Sequence, residues 1–168
     1  MGASLGITLV IILLDQISKN IILQKLAIGE SIKIINNFFY ITHIRNSGAA
    51  WGFLADKTWG INILTLLSII VSLYLIYLIF LNNFIFFRVF LSLILGGSIG
   101  NLIDRVRFGN VVDFLSFKFG NYHFPVFNIA DMSIVIGGVL LLIYFIFNQD
   151  KLDNIAFSRN DKKDKEAN

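Results

Sequence analysis

The sequence predicts an integral membrane protein of mainly α class, with four transmembrane helices in a single domain and a small β element outside the hydrocarbon. Three observations carry this. The 168 residues are 56% hydrophobic and only 15% charged, with a mean hydropathy of +0.74, whereas soluble domains run nearer about a quarter charged. Four apolar windows each approach about 20 residues, the length that roughly 30 Å of hydrocarbon requires of a helix. Two β-patterned segments fall between these windows, and open strands cannot cross a bilayer.

The first window spans about residues 5–26 and is interrupted by "DQISK" at 15–19. The second, 59–81, contains no charge and is the clearest crossing. The third, 84–104, has Arg88 near its start and "GGSIGN" at 96–101 inside it. The fourth runs from about 126 to 147. Residues 30–54 alternate around Ile32, Ile34, Phe38, Tyr40 and Thr42, with Asn36 and Asn37 as a turn, which is a strand-and-hairpin pattern. A second hairpin is expected over 114–127, turning at Gly120 and Asn121. In a four-helix chain both β segments share one side of the membrane, and that side is the expected working face. The domain therefore covers residues 1–147, and 148–168 form a charged, solvated tail.

Composition narrows the chemistry. The chain has no cysteine, which removes disulfides, thiol nucleophiles and Cys-based metal sites. The net charge of +3 is spread out, with no clustered basic face of the kind that nucleic acid requires. No Lys or Arg precedes the first apolar run, so that run is expected to stay as a helix and not to be removed as a signal peptide. The positive-inside rule leaves the orientation tied. Arg88, Lys151, Arg159, Lys162, Lys163 and Lys165 lie on one side, and Lys33, Arg45, Lys57, Arg105, Arg107 and Lys118 on the other.

Ionisable groups inside membrane helices are candidates for function, because a charge at mid-helix costs at least about 2.5 kcal/mol on insertion scales. Asp15 and Lys19, spaced i, i+4, can instead neutralise each other along one helix face. Asp104 and Arg105 end the third helix, where interfacial charge is ordinary. Gly96 and Gly100 form a small-xxx-small pair suited to close helix packing, and Asn101 can hydrogen-bond across to a neighbouring helix. His43 and His123 lack ligating neighbours in sequence, so surface or stacking roles are expected and no metal site.

Asp113 and Asp131 stand apart. The first lies in the apolar setting "VVDF"; the second is about one turn into the fourth helix, with Asn128 on the same face. A hairpin between them can bring the carboxylates together at one membrane surface. Two such groups titrate as a unit, one holding a proton while the other stays ionised. That pair suits peptide hydrolysis of the aspartic type. A Ser/Lys pairing of Lys19 with Ser98 or Ser47 lacks a strained nucleophile turn, and "GGSIG" has no helical histidine to serve as base. A proton-coupled transporter relaying through Asp15, Lys19 and Asp131 is the rival of another class, and a non-catalytic binding factor using the same groove is a third reading.

The set "DQISK" (15–19), "NSGAAWG" (46–52), "GGSIGNLIDR" (96–105) with "VVDF" (111–114), and "FNIAD" (127–131) resembles the bacterial lipoprotein signal peptidase family, signal peptidase II. The resemblance implies an aspartic peptidase of the cytoplasmic membrane, with both termini in the cytosol and an extracytoplasmic β-cradle. Its substrates would be diacylglyceryl-modified prolipoproteins, cut on the N-terminal side of the lipid-bearing cysteine; the non-catalytic reading then becomes a lipoprotein-binding factor. It implies no cofactor, contact with membrane lipids, and inhibition by cyclic peptides such as globomycin. By motif position Asp113 and Asp131 would be the catalytic pair. Asp15, Lys19, Asn46, Gly100, Asn101, Arg105, Asn128 and Ala130 would bind substrate or support the site. Trp51, where Phe is frequent in the family, and Ser98, where Ala is common, are small departures.

Overall fold

A computed structural model describes residues 2–48, 54, 57 and 59–148. The charged tail beyond 148, and the part of the "NSGAAWG" motif that includes Trp51, lie outside the described residues. In chain order the elements are α1 (Gly2–Lys25), β1 (Ser31–Ile35), β2 (Phe39–Asn46), α2 (Gly60–Leu81), α3 (Ile85–Phe108), β3 (Val111–Phe119), β4 (Tyr122–His123) and α4 (Ile129–Phe147). All four helices are long and apolar enough to cross a membrane.

The helices are inside-out relative to a soluble bundle. Large apolar side chains such as Leu73 and Leu142 face outward, whereas Ser4, Thr8, Ser72, Ser92, Ser98 and Ser133 are buried between helices. Lipid is as apolar as leucine, so helices associate through small residues and polar contacts instead. Helix α3 is the hub and touches α1, α2 and α4. Its glycines permit this. A Cβ on Gly96 would lie 2.7 Å from Cβ of Ile11, and one on Gly100 would lie 2.7 Å from Oδ2 of Asp15.

Two helix boundaries differ from the sequence expectation, each for a local reason. The charges Asp104, Arg105 and Arg107 do not end α3. Gly109 does, at φ 68° in the left-handed region, its N–H capping the carbonyl of Arg105 at 3.0 Å. Helix α4 starts at Ile129 and not near 126, because Asn128 is its N-cap and Phe127 instead pairs with Leu115 in extended conformation.

The two β segments join into one antiparallel sheet of order β1-β2-β3-β4. Strand β3 begins at Val111, three residues earlier than expected, which places Asp113 in a strand opposite Ile44. The sheet is fastened to the bundle by a core of Ile22 and Leu26 from the end of α1 with Val112 and Phe114 from β3. His43 corrects an expectation. It is only 3% exposed, and its Nδ1 donates to the carbonyl of Leu26 at 2.9 Å, one of those just past α1 that no intrahelical donor reaches. His123, at the hairpin tip, is exposed.

Candidate active site

The site forms where β3, the N-terminus of α4 and the last turns of α3 meet. Asp113 is carried inward by β3 between Val112 and Phe114 and is 2% exposed. Its Oδ1 accepts from Nδ2 of Asn128 at 2.7 Å, and its Oδ2 accepts from Nδ2 of Asn46 at 2.9 Å. Asp131 is the third residue of α4 and closes a capping box. The backbone N–H of Asn128 donates to Oδ2 of Asp131 at 3.2 Å, and the N–H of Asp131 donates to Oδ1 of Asn128 at 2.9 Å. The other oxygen of Asp131 accepts from Nδ2 of Asn101 at 2.7 Å. Asn128 thus binds both carboxylates, one through its side-chain amide and one through its backbone.

Beneath this pair lies a buried ionic cluster. The ammonium of Lys19 donates to Asp15 at 2.8 Å, to Asp104 at 2.9 Å and to Oδ1 of Asn101 at 3.0 Å, which uses all three of its protons. By occupying Oδ1, Lys19 turns the NH2 of Asn101 toward Asp131. Asp15 also accepts from the N–H of Ala130 at 2.9 Å, and Asp104 from the N–H of Val112 at 3.0 Å. The cluster therefore holds both backbone segments that bear the upper carboxylates. Gln16 joins Asp15, Asp104 and the carbonyl of Gly100, each at 3.1 Å.

Among the described residues, Asp113 and Asp131 have no such ammonium in contact. Burial first, and the charge of Asp131 second, raise the carboxyl of Asp113 to about 7, against the pull of the Asn46 and Asn128 amides. The pair lines one end of a cavity of about 490 Å³, together with Asn101 and Arg105; Phe124 and Met132 belong to its apolar part. Arg105 forms no ion pair among the described residues, and the charges of Asp131, Asp113 and Asp104 reach it only through space.

Of the residues expected at the site, Asn46, Asn101, Asp113, Asn128 and Asp131 form one bonded network. Asp15, Lys19, Gly100 and Ala130 sit directly under it, and Arg105 is at the cavity wall. Sequence reasoning missed Asp104 and Gln16. Asp104 was assigned to the membrane interface, yet it is 1% exposed and paired with Lys19. The available signal was its spacing, three residues after Asn101 on the same face of α3.

The family model described as "Signal peptidase (SPase) II" matches residues 7–147. The chain belongs to the signal peptidase II family. It is 42% identical over 149 residues to the lipoprotein signal peptidase of Listeria monocytogenes, covering 89% of this chain and 96% of that one. It is 45% identical over 145 residues to the lipoprotein signal peptidase of Bacillus pumilus, covering 86% and 93%. A bacterial membrane enzyme solved by the in meso method at 2.3 Å shares its fold at a TM-score of 0.80 and 38% identity, over 90% of this chain and 92% of the other. A second such enzyme, solved at 1.9 Å, matches at a TM-score of 0.75 and 39% identity, over 86% and 93%. As a signal peptidase II, the chain is a membrane protease that cleaves signal peptides from prolipoproteins. Membership does not favour the transporter and binding-factor readings.

Proposed function

We propose that Asp113 and Asp131 are the catalytic dyad of this peptidase. The observation that carries the reading is the pair itself: two carboxylates at a cavity wall, bridged by Asn128, supplied with amide donors but, among the described residues, no contacting cation. Both oxygens of Asp113 already accept amide hydrogens, so its proton, retained up to about pH 7, is directed at the cavity. There it polarises the scissile carbonyl while Asp131 takes a proton from an attacking water. The tetrahedral adduct then collapses as a proton passes to the leaving amine, and the peptide bond breaks. Asn101 and Asn128 hold Asp131 in place through both steps.

The substrate is a prolipoprotein bearing diacylglycerol on its cysteine, with the cut on the N-terminal side of that residue. Acyl chains in the bilayer bring the bond to the membrane surface, and the apolar part of the cavity, with Phe124 and Met132, suits the flanking side chains. The sheet and the dyad face the extracytoplasmic side, and both termini are cytosolic. Cyclic peptide inhibitors such as globomycin compete for the same cavity. Asp15, Lys19, Asn46, Gly100, Asn101, Arg105, Asn128 and Ala130 support the dyad or the bound peptide. The test is cleavage of a diacylglyceryl prolipoprotein by purified protein. Wild type should release the signal peptide, and Asp113→Asn or Asp131→Asn should not; near-wild-type turnover by either variant refutes the dyad. A reporter fused after Gln149 should be active only in the cytosol.

A further inference from the structure

Helix α2 has no charged residue and packs chiefly on α3, yet one of its side chains reaches the site. Thr65, Ser68 and Ser72 lie along one helical stripe at spacings of three and four. Ser72 exchanges a buried hydrogen bond with Ser98 at 3.0 Å, an ordinary helix-to-helix contact. The hydroxyl of Ser68 donates to the carbonyl of Leu64 at 2.8 Å, and that donation fixes where its lone pairs point. They accept from Nη1 of Arg105 at 3.1 Å.

This bond holds a guanidinium that is otherwise poorly tethered. Among the described residues Arg105 makes no ion pair, and its buried Nε–H has no hydrogen-bond partner. A buried donor left unsatisfied is costly, so this N–H adds nothing to hold the side chain, which lines the cavity. Three carboxylates compete for the group through space: Asp131 from α4, Asp113 from β3 and Asp104 from α3 itself. A guanidinium released from Ser68 is free to turn toward them and away from an occupant of the cavity.

We propose that Ser68 is a positioning residue of the peptidase: by fixing Arg105, it presents the guanidinium at the cavity wall to the backbone of the bound prolipoprotein. This deepens the proposed function and rests on it for the location of the substrate. Because Arg105 donates equally to bound substrate and transition state, the signature is in KM.

The test uses full-length protein and a diacylglyceryl prolipoprotein peptide. Ser68→Ala should raise KM roughly tenfold with kcat within about twofold, as expected for loss of one hydrogen bond to a charged group. Ser68→Thr, which keeps the hydroxyl and its bond to the preceding turn, should restore KM. In an Arg105→Gln background, Ser68→Ala should add nothing. Ser72→Ala, on the same stripe but bonded only within the bundle, should lower Tm and leave KM alone. The proposal is overturned if Ser68→Ala leaves KM unchanged, if its effect persists in the Arg105→Gln background, or if it merely reproduces Ser72→Ala. Failure of the dyad itself shows separately, as turnover by Asp113→Asn or Asp131→Asn.

Discussion

Two pairs of carboxylates, buried except for the half-buried Asp131, lie almost side by side in this protein and have opposite chemistry. Asp15 and Asp104 share one ammonium, a glutamine and two backbone N–H groups, so their charge is compensated where it stands. Among the described residues, Asp113 and Asp131 receive only amide donors, from Asn46, Asn101 and Asn128. An amide offers a dipole but no net charge, so the upper pair keeps the cost of two like charges in a low-dielectric setting and relieves it by holding a proton. The same residue type becomes a rivet in one place and a titrating group in the other, according to whether a cation is within contact.

Converting each upper carboxylate to its neutral isostere breaks this contrast most severely. Asp113→Asn and Asp131→Asn should each lower kcat by roughly 10²–10⁴-fold, measured as signal-peptide release, with folding retained. Asp15→Asn should instead act on stability. Lys19→Met attacks the lower pair from the other side: it strands two buried carboxylates, at a cost of about 3–5 kcal/mol, visible as a lower Tm or loss of folded protein in detergent. If Lys19→Met folded normally and lost only activity, the division between the pairs would collapse.

Asn128→Ala should fall between these effects, since it removes the amide on Asp113 and the side-chain cap of α4 together. A drop of about 10–100-fold in kcat/KM is expected, with a modest decrease in Tm. The mildest probe is pH. The carboxyl of Asp113 rises from 3.8 to about 7 on folding, so its protonated form is the one the fold favours. Its contribution to stability is complete below 3.8 and is lost as pH rises through about 7; kcat/KM should be half-lost near the same pH. A basic limb that does not move in Asp131→Glu or Asn46→Ala variants with residual activity would assign the titration to another group.

The helices were legible because an apolar run long enough to span lipid has few other destinies, and α2 with its uncharged stretch shows this best. Boundaries were less so. Charge at 104–107 looks like a membrane edge in sequence, but α3 continues to Phe108 because Asp104 is neutralised by Lys19 from 85 residues earlier in the chain, a contact that no local pattern contains. Asp113 and Asp131 were identifiable as the costly residues near one surface, and the hairpin between them made proximity reasonable. The bridge through Asn128 was only half visible: its face was predictable, while its simultaneous grip on a strand and a helix required the fold. His43 looked like a surface residue because strand periodicity says nothing about a helix end lying beneath the strand.

The pairing of Lys19 with Asp15 also bears on how the chain enters the bilayer in the first place. α1 is synthesised long before α3, so during insertion neither Asp104 nor Asn101 is yet available to it. Two charges at mid-helix would each add about 2.5–3.5 kcal/mol to partitioning, but at i, i+4 they can travel as a neutral dipole on one turn. The helix can carry its own counter-ion into the bilayer, and the folded protein keeps that pair inside the larger polar cluster that the third span completes.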